Sequence, residues 1–285
     1  MAQQLIAECP TLSACLELDH SSTVDILTVK LRNKFTNSRK RSLSPSVQER
    51  KAKRKASLIP TQVPGLPNYY PVVVDDLVTT ERKLNMLRHG DVDRDQRAAL
   101  VKETLPARRS EILGGPGKKP QNISSLKKRF PFMFGAEELW KEMELLSGQV
   151  GLREKFSEGL KTWLAGIMAQ TECRREDAAE TLLRLIDQEE VIIRDEEGAA
   201  YPHVQEAPEG EWSVLVERTE VARCSTLEEA LLLVGVSFYV FNQKPRTKYK
   251  TLVWFLHNEV FGMRSDEIKP KGAALQNLLK CKPQE

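Results

Sequence analysis

Residues Ala230–Phe241, with the sequence ALLLVGVSFYVF, form the longest apolar run in the chain. Ser225, with Glu228 three residues later, has the pattern of a capping box, which predicts that a helix begins here. The run has twelve residues and is too short to span a bilayer, so it predicts a central core helix and no membrane partner. The apolar positions of this helix are Leu227, Leu231, Val234, Phe238 and Phe241 on one face and Leu232, Leu233, Val236 and Val240 on the other.

The segments on either side of this helix give weaker patterns. Trp212–Glu217 alternates apolar and polar residues and predicts a strand, whereas Glu217–Arg223 gives no clear pattern. After the core helix, Thr247 is predicted to open a last long helix, and Leu275–Leu279 to form a short closing one.

Apolar residues at three- and four-residue spacing predict further helices before the strand. Val191–Ile193 is β-branched and can begin a short strand. Gly198–Glu211, which contains two prolines, predicts a loop. The sequence therefore predicts a mainly α domain at residues 118–285 with a small β element. The predicted helices are Glu137–Ser147, Leu152–Ala169 and Glu176–Glu190.

Residues Leu126–Phe134, LKKRFPFMF, combine three aromatic rings with three basic side chains. Rings between cations can stack on the bases of single-stranded nucleic acid. The rings here cluster around Pro131, directly before a predicted helix. This position favours core anchoring of the helix over nucleic-acid binding.

Residues 72–117 predict a helical arm before this domain. A break is predicted near Gly90, and Pro106 with the Gly114–Gly117 string predicts the end of the arm. The apolar stripe is thin for so many charges, which indicates a helix that lies on a partner or packs as a coiled hairpin.

Residues 35–71 have few apolar side chains and many charges, a composition that predicts a disordered basic linker. Between Lys30 and Lys55 there are eleven Lys/Arg and one acid, Glu49, a net charge of +10 in a chain whose total is +3. Two basic clusters resemble a bipartite nuclear import signal, although a solvated charge run or a nucleic-acid contact fits the same pattern. The candidate contact residues are Arg39, Lys40, Arg41, Arg50, Lys51, Lys53, Arg54 and Lys55.

Two further features lie in the N-terminal part of the chain. Ser44, followed by Pro45, is a candidate site of proline-directed phosphorylation, which would partly cancel the adjacent positive charge. Such dipeptides also occur by chance in disordered segments. Residues 1–34 predict a short helical segment that is too small to bury a core of its own.

Composition and cysteine spacing give no sign of a metal centre. Of 285 residues, 40% are hydrophobic and 29% charged, which predicts a core together with a large polar segment. The five cysteines are scattered without a CxxC pair, which is typical of reduced thiols in an intracellular protein. Cys9, Cys15 and His20 supply at most three ligands, short of a closed structural zinc site.

Motifs of catalysis are not recognised either. His203 is expected in a proline-flanked loop without a nucleophile elbow, and His257 on the polar side of the last helix as a surface residue. Gly117-Lys118 is not a phosphate-binding loop, because that motif needs Ser or Thr after the lysine and Lys119 follows. The sequence therefore predicts no catalytic, cofactor-binding or metal-binding residue and no enzyme.

The order of these patterns resembles the C-terminal region of a large fish family labelled sterile alpha motif domain-containing protein 3-like. The resemblance is carried by Phe130–Met133 before the Trp140 helix, by Trp212–Val216, by Cys224–Ala230 and by Val234–Tyr239. These are core patterns over about two thirds of the chain, so the resemblance implies a shared fold and no shared active site. In that family the region follows a basic linker, and the sterile alpha motif normally lies upstream, so no polymerising function is implied.

Three functions are compatible with these features. The first is a non-enzymatic adaptor or scaffold of the nucleus, whose C-terminal domain binds a protein partner and whose Arg39–Lys55 region binds an import receptor. The second is a nucleic-acid-binding regulator that uses Lys30–Lys55, with Lys127–Arg129 as added contacts. The third is an enzyme whose site no linear motif shows. The cytoplasm is the alternative location if no receptor recognises the linker.

Overall fold

The described residues are mainly α-helical with one small antiparallel β-sheet, which confirms the predicted mainly α fold with a small β element. The computed structural model describes residues 76–90, 92–114, 119–193, 200–243, 245, 249–263 and 280–281. All of these belong to one compact unit. The N-terminal segment, the basic linker and the closing helix at Leu275–Leu279 lie outside the described residues.

The elements are numbered in chain order. Helices α1 to α5 span Leu77–His89, Arg94–Glu103, Leu105–Leu113, Ile123–Arg129 and Ala136–Ser147. Helices α6 to α9 span Leu152–Thr171, Ala178–Leu185, Leu227–Val240 and Lys250–Trp254. A π-helical stretch, Phe255–Val260, directly continues α9. Strands β1 to β3 span His203–Glu206, Trp212–Val216 and Thr219–Cys224, and each is antiparallel to the next.

Helix α8 is the centre of the core, because its residues from Ala230 to Val240 are all buried. It begins later than predicted: Thr226, not Ser225, is the N-cap, and its side-chain oxygen accepts a hydrogen bond from the Glu229 amide at 3.2 Å. The capping signal was therefore right in kind and wrong by one residue. The core helix expected from the apolar run is confirmed.

Gly235, in the middle of α8, permits a close approach between this helix and the segment that contains Leu256 and Phe261. A Cβ atom at Gly235 would lie 2.8 Å from the Phe261 ring and 3.1 Å from the Leu256 side chain. Such distances are too short for a methyl group, so a larger side chain would force the packed segment away.

Strand β1 lies inside the stretch Gly198–Glu211, which was wrongly predicted to be a loop. It pairs with β2 from His203↔Leu215 to Glu206↔Trp212. Its first two residues are both buried, so the alternation that identifies a half-buried strand is lost.

The turn between β2 and β3 consists of Glu217 and Arg218, which have positive φ angles of 50° and 63°. A two-residue hairpin turn of type I′ needs positive φ at both positions, and Asn-Gly is its usual sequence. Glu217 makes a second contact, because its Oε2 accepts a hydrogen bond from the Ile123 amide at 2.9 Å, in the first turn of α4. The hairpin is thereby tied to a helix far away in sequence.

Both outer strands also form hydrogen bonds beyond the sheet. On β3, the Val221 carbonyl accepts from the Gly135 amide at 2.8 Å. On β1, the Val204 carbonyl accepts from the Ile193 amide at 2.9 Å, beside a single parallel bridge. The strand expected at Val191–Ile193 is reduced to this bridge, because the chain before it is a 3-10 turn.

The remaining helices follow the predicted periodicity, with differences at their ends. Helix α6 continues to Thr171 instead of Ala169. Helix α7 is shorter than predicted, because Asp187 has a positive φ of 55° and ends the helical course. In the π-helical stretch three consecutive residues, Phe255, Leu256 and His257, are buried, which a regular α-helical pattern does not predict.

The predicted arm consists of α1 to α3, and its apolar stripe packs into the same core cluster as α8. Leu84, Leu105 and Ile112 are among its buried residues. The break at Gly90 is confirmed. Pro106 does not end the arm but lies in the first turn of α3, a position where the missing N–H of proline is tolerated.

Two adjacent arginines of α3, Arg108 and Arg109, are fully buried. Arg108 Nη2 pairs with Glu142 Oε2 of α5 at 2.6 Å, and its Nη1 donates to the Val101 carbonyl at 2.7 Å. Arg109 Nη1 donates to the Val240 carbonyl at 2.7 Å, at the end of α8 where carbonyl groups lack intrahelical partners. Burial lowers the pKa of Arg109 to about 10, although Glu142 opposes this shift. The arm is therefore fixed to both α5 and α8.

We expect Glu142→Gln to lower the free energy of unfolding by about 3–5 kcal/mol, because it leaves the Arg108 charge buried without compensation. The matched change Glu137→Gln, on the same helix, breaks an ion pair with Arg153 at the surface and should cost less than about 1 kcal/mol. Urea unfolding of the three proteins measures both effects. Similar losses in the two variants would contradict the role assigned to the buried pair.

Candidate functional site

Among the described residues, one cleft combines an apolar floor with a charged rim. It has a volume of about 420 Å³, within the range of ligand pockets in proteins. Its lining comes from α6, from the 3-10 turn Arg175–Asp177 together with the first residue of α7, and from the N-terminal part of α8. We call it the α6–α8 cleft. Its floor is formed by Leu160, Leu164, Ala178 and Leu232, and its rim by Arg153, Ser157, Lys161, Met168, Arg175, Thr226, Glu228 and Glu229.

Helical periodicity explains how α6 supplies both floor and rim. Ser157, the adjacent pair Leu160 and Lys161, Leu164 and Met168 are separated by three or four residues, which places them along one side of the helix. Of these, only the two leucines are buried. The polar side chains and Met168 continue the same surface toward solvent.

Arg153 fixes the end of the cleft at which α5, α6 and α8 meet. Its Nη2 pairs with Glu229 Oε1 at 2.8 Å, and its Nη1 pairs with Glu137. Partial burial works against the charged form of Arg153, but the two carboxylates outweigh it and raise its pKa. The positive charge of Arg153 is therefore already compensated within the protein.

The α8 N-terminus contributes Thr226, Glu228 and Glu229 to the cleft. Carboxylates in the first turn interact favourably with the helix dipole. Burial, reinforced by Glu229 and Glu211, raises the pKa of the nearby Cys224 thiol to about 12. The described lining can thus bind a ligand by apolar contact and ion pairing.

Two other depressions have no comparable floor. A groove of about 900 Å³ follows α1, where Leu77 and Val78 are 87% and 81% exposed. A depression of about 300 Å³ between α3 and α4 is lined mainly by polar side chains. Its Arg129 is already paired with Glu81 and Glu111.

His257 was expected on a polar surface, and this prediction was wrong. The side chain is 2% exposed and is one of three consecutive buried residues in the π-helical stretch. Its ring centre lies 4.2 Å from that of Tyr239, and its Nε2 lies 3.5 Å from the Gly235 carbonyl. Burial lowers the pKa of His257 to about 3, and the contact with Gly235 only partly opposes this. His257 is therefore a neutral core residue.

The other described histidines, His203 and His89, do not line the cleft. His203 is buried at the start of β1, and its Nδ1 donates to the Tyr201 carbonyl at 2.8 Å. Burial lowers the pKa of His203, and this hydrogen bond acts in the opposite direction. His89 is exposed on α1, and His20 lies outside the described residues.

The aromatic and basic stretch at residues 126–134 anchors the core, as predicted. Phe130 and Phe132 are buried. Lys127 Nζ donates to a backbone carbonyl of β3 at 2.6 Å, and Arg129 pairs with glutamates of α1 and α3. Of the three cations considered as added nucleic-acid contacts, two are thus engaged inside the protein, and Lys128 is exposed.

The predicted import residues between Arg39 and Lys55, and Ser44 with them, lie outside the described residues. The cleft, in contrast, was not recognised from the sequence. Leu160 and Leu164 were identified as part of the apolar face of α6, but the packing of α8 on α6 cannot be read from either helix alone. The sequence feature that could have indicated the cleft is the pair Ser157 and Lys161, which lie four residues apart directly beside that apolar face.

No helix within the described ranges has both the length and the apolar character needed to cross a membrane. In the same part of the chain, no group of three or more His, Cys, Asp or Glu side chains is placed to bind a metal ion. Comparisons with protein-family models, with curated proteins and with solved structures found no match to this chain. The resemblance to the fish family therefore stays a prediction.

We expect the free energy of unfolding to decrease as the pH falls from 6.5 toward 4.5. The pKa of His257 is about 3 in the folded protein and 6.5 ordinarily, so the unfolded chain binds the proton first. The contribution of neutral His257 to the free energy of unfolding is fully present above pH 6.5. Below pH 6.5 this contribution is lost at up to about 1.4 kcal/mol per pH unit. His203 acts in the same direction.

Urea unfolding at a series of pH values measures this dependence. His257→Gln should have a shallower slope between pH 6.5 and 4.5, and His89→Gln, at an exposed position, should retain the wild-type slope. Carboxyl groups with lowered pKa values, such as those of Asp76 and Glu220, take effect near and below pH 4.5. An unchanged slope in His257→Gln would mean that another group controls the dependence.

Proposed function

We propose that the chain is a non-enzymatic adaptor of the nucleus, which binds a protein partner through the α6–α8 cleft and enters the nucleus by means of its basic linker. The observation that carries the binding part is the cleft itself, in which buried leucines of two helices meet beneath a rim of charged side chains. Protein interfaces commonly combine an apolar centre with a polar rim in this manner.

The state of the reactive side chains supports a binding role over a catalytic one. Burial keeps the Cys224 thiol protonated. It also keeps His257 and His203 neutral inside the core. General bases and nucleophiles must reach a substrate and have pKa values suited to proton transfer. These three groups are instead part of the packing of the domain.

The basic linker supports nuclear import. Its two clusters, Arg39–Arg41 and Arg50–Lys55, contain eight Lys/Arg in all and are separated by a segment with Ser44. An import receptor would recognise such clusters through ion pairs with its own acidic residues. Phosphate on Ser44 would weaken this recognition, because it adds negative charge between the clusters.

We expect a fluorescently tagged chain to accumulate in the nuclei of cultured cells. Changing Arg39, Lys40, Arg41, Lys53, Arg54 and Lys55 to Ala should move it to the cytoplasm, because the clusters lose most of their charge. The matched variant Arg39→Lys, Arg41→Lys, Arg54→Lys retains the charge and should remain nuclear. A cytoplasmic wild-type protein would exclude the proposed import signal.

We expect Ser157→Tyr to abolish partner binding in the nucleus, because a large ring at the rim would fill the mouth of the cleft. Ala165→Tyr, at an exposed position of α6 that does not line the cleft, is the control. Proximity labelling with the tagged chains, followed by mass spectrometry, would show proteins that are labelled by wild type and by Ala165→Tyr but not by Ser157→Tyr. Lys161→Tyr is a second blocking variant at an exposed position. Identical labelling by all chains would refute the proposed role of the cleft.

Nucleic-acid binding is the second candidate function, and the +10 charge between Lys30 and Lys55 favours it. Its hallmark would be an affinity that falls steeply with salt, because phosphate contacts release counterions. The internal contacts of Lys127 and Arg129 leave the linker as the main source of positive charge for this function.

A further inference from the structure

Two cations on the rim of the α6–α8 cleft have no ion-pair or hydrogen-bond partner among the described residues. Lys161 of α6 and Arg175 of the turn before α7 are both exposed. Within the described part of the chain, neither forms an ion pair or a side-chain hydrogen bond, whereas the third cation of the rim, Arg153, holds Glu229 and Glu137. The charge available to a ligand is therefore that of Lys161 and Arg175.

The acidic side of the rim is weaker than its composition suggests. Glu229 is already paired with Arg153 at 2.8 Å. Glu228 lies in the first turn of α8, where the positive end of the helix dipole offsets part of its charge. The balance at the rim thus favours a negatively charged group on the ligand.

The floor of the cleft favours an apolar group on the ligand. Leu160, Leu164 and Leu232 are 1%, 6% and 2% exposed, so they form a packed apolar surface at the bottom of the cleft. Met168 is half-buried beside them, and its flexible thioether side chain can adjust to the shape of an inserted group. A volume of about 420 Å³ accommodates a large apolar side chain together with the backbone that carries it.

We propose that the α6–α8 cleft binds a short peptide segment of a protein partner in which a large apolar residue is flanked by Asp or Glu. The apolar side chain inserts against Leu164 and Leu232, and the flanking carboxylates pair with Lys161 and Arg175. This inference rests on the proposed function and names the chemistry of the partner that the cleft accepts.

The test starts from the purified full chain and a phage-displayed library of random peptides. Enriched peptides should combine Leu, Ile, Met or Phe with neighbouring Asp or Glu. One enriched peptide, synthesised with a fluorophore, should bind Lys161→Glu/Arg175→Glu at least about tenfold more weakly than wild type, because two charge-assisted contacts are replaced by repulsion. The control Lys155→Glu/Arg184→Glu makes the same change in net charge at exposed positions outside the cleft and should stay within about twofold at 0.15 M salt.

The remaining outcomes separate the inference from the function on which it rests. Enrichment of basic peptides, or equal affinity for the two charge-reversed variants, would overturn the acidic chemistry of the ligand. If the enriched peptides, whatever their charge, fail to bind Ser157→Tyr, the cleft remains a binding site and the adaptor function stands. Peptides that bind Ser157→Tyr and wild type equally would overturn both, and a library without any enriched sequence would overturn the peptide-binding inference.

Discussion

The buried ion pair between Arg108 and Glu142, at 2.6 Å, is the contact on which the assembly of the described domain depends. Each charge would be costly in the core without the other, since burial of an unpaired charge is strongly unfavourable. The next residue, Arg109, donates to the Val240 carbonyl at the end of α8. One short helix of the arm thereby neutralises a charge on α5 and satisfies the C-terminus of the central helix. The arm is part of the folded core. A fragment that began after the arm would lack Arg108, the partner of Glu142.

Helix α8 connects this constraint to the candidate site. Its middle is buried on all sides, so only the ends of α8 lie near the surface. The C-terminal end is closed by Arg109, whereas the N-terminal end, with Thr226, Glu228 and Glu229, forms one wall of the α6–α8 cleft. Arg153 of α6 pairs with Glu137 of α5 and Glu229 of α8. Helix α5, which carries Glu142 of the buried pair, is therefore also linked to the wall of the cleft.

Local patterns in the sequence predicted the parts of the fold that depend on one element at a time. The apolar run of α8 and the periodic face of α6 identified two core helices, because burial repeats at helical spacing. The buried Arg108 and Arg109 could not be predicted, since charged residues in a thin apolar stripe are usually solvated. The Glu217-Arg218 turn has positive φ at both positions without the usual Asn-Gly signal, and its Glu217 contacts α4, which is distant in the sequence. His257 lies in a π-helical stretch with three consecutive buried residues, and no local pattern identifies such a stretch. The cleft escaped prediction because its lining extends from residue 153 to residue 232 and depends on how separate elements pack.

The hydrogen bonds at the outer strands of the sheet have a consequence for how this protein can associate. An uncovered edge strand offers a row of backbone groups on which another chain can add a strand, and this is a common route both to peptide capture and to fibrillar aggregation. Here part of each edge is occupied, by Gly135 on β3 and by Ile193 on β1. Strand addition is thereby disfavoured at both ends of the sheet. A strand that added to either edge would have to displace one of these hydrogen bonds.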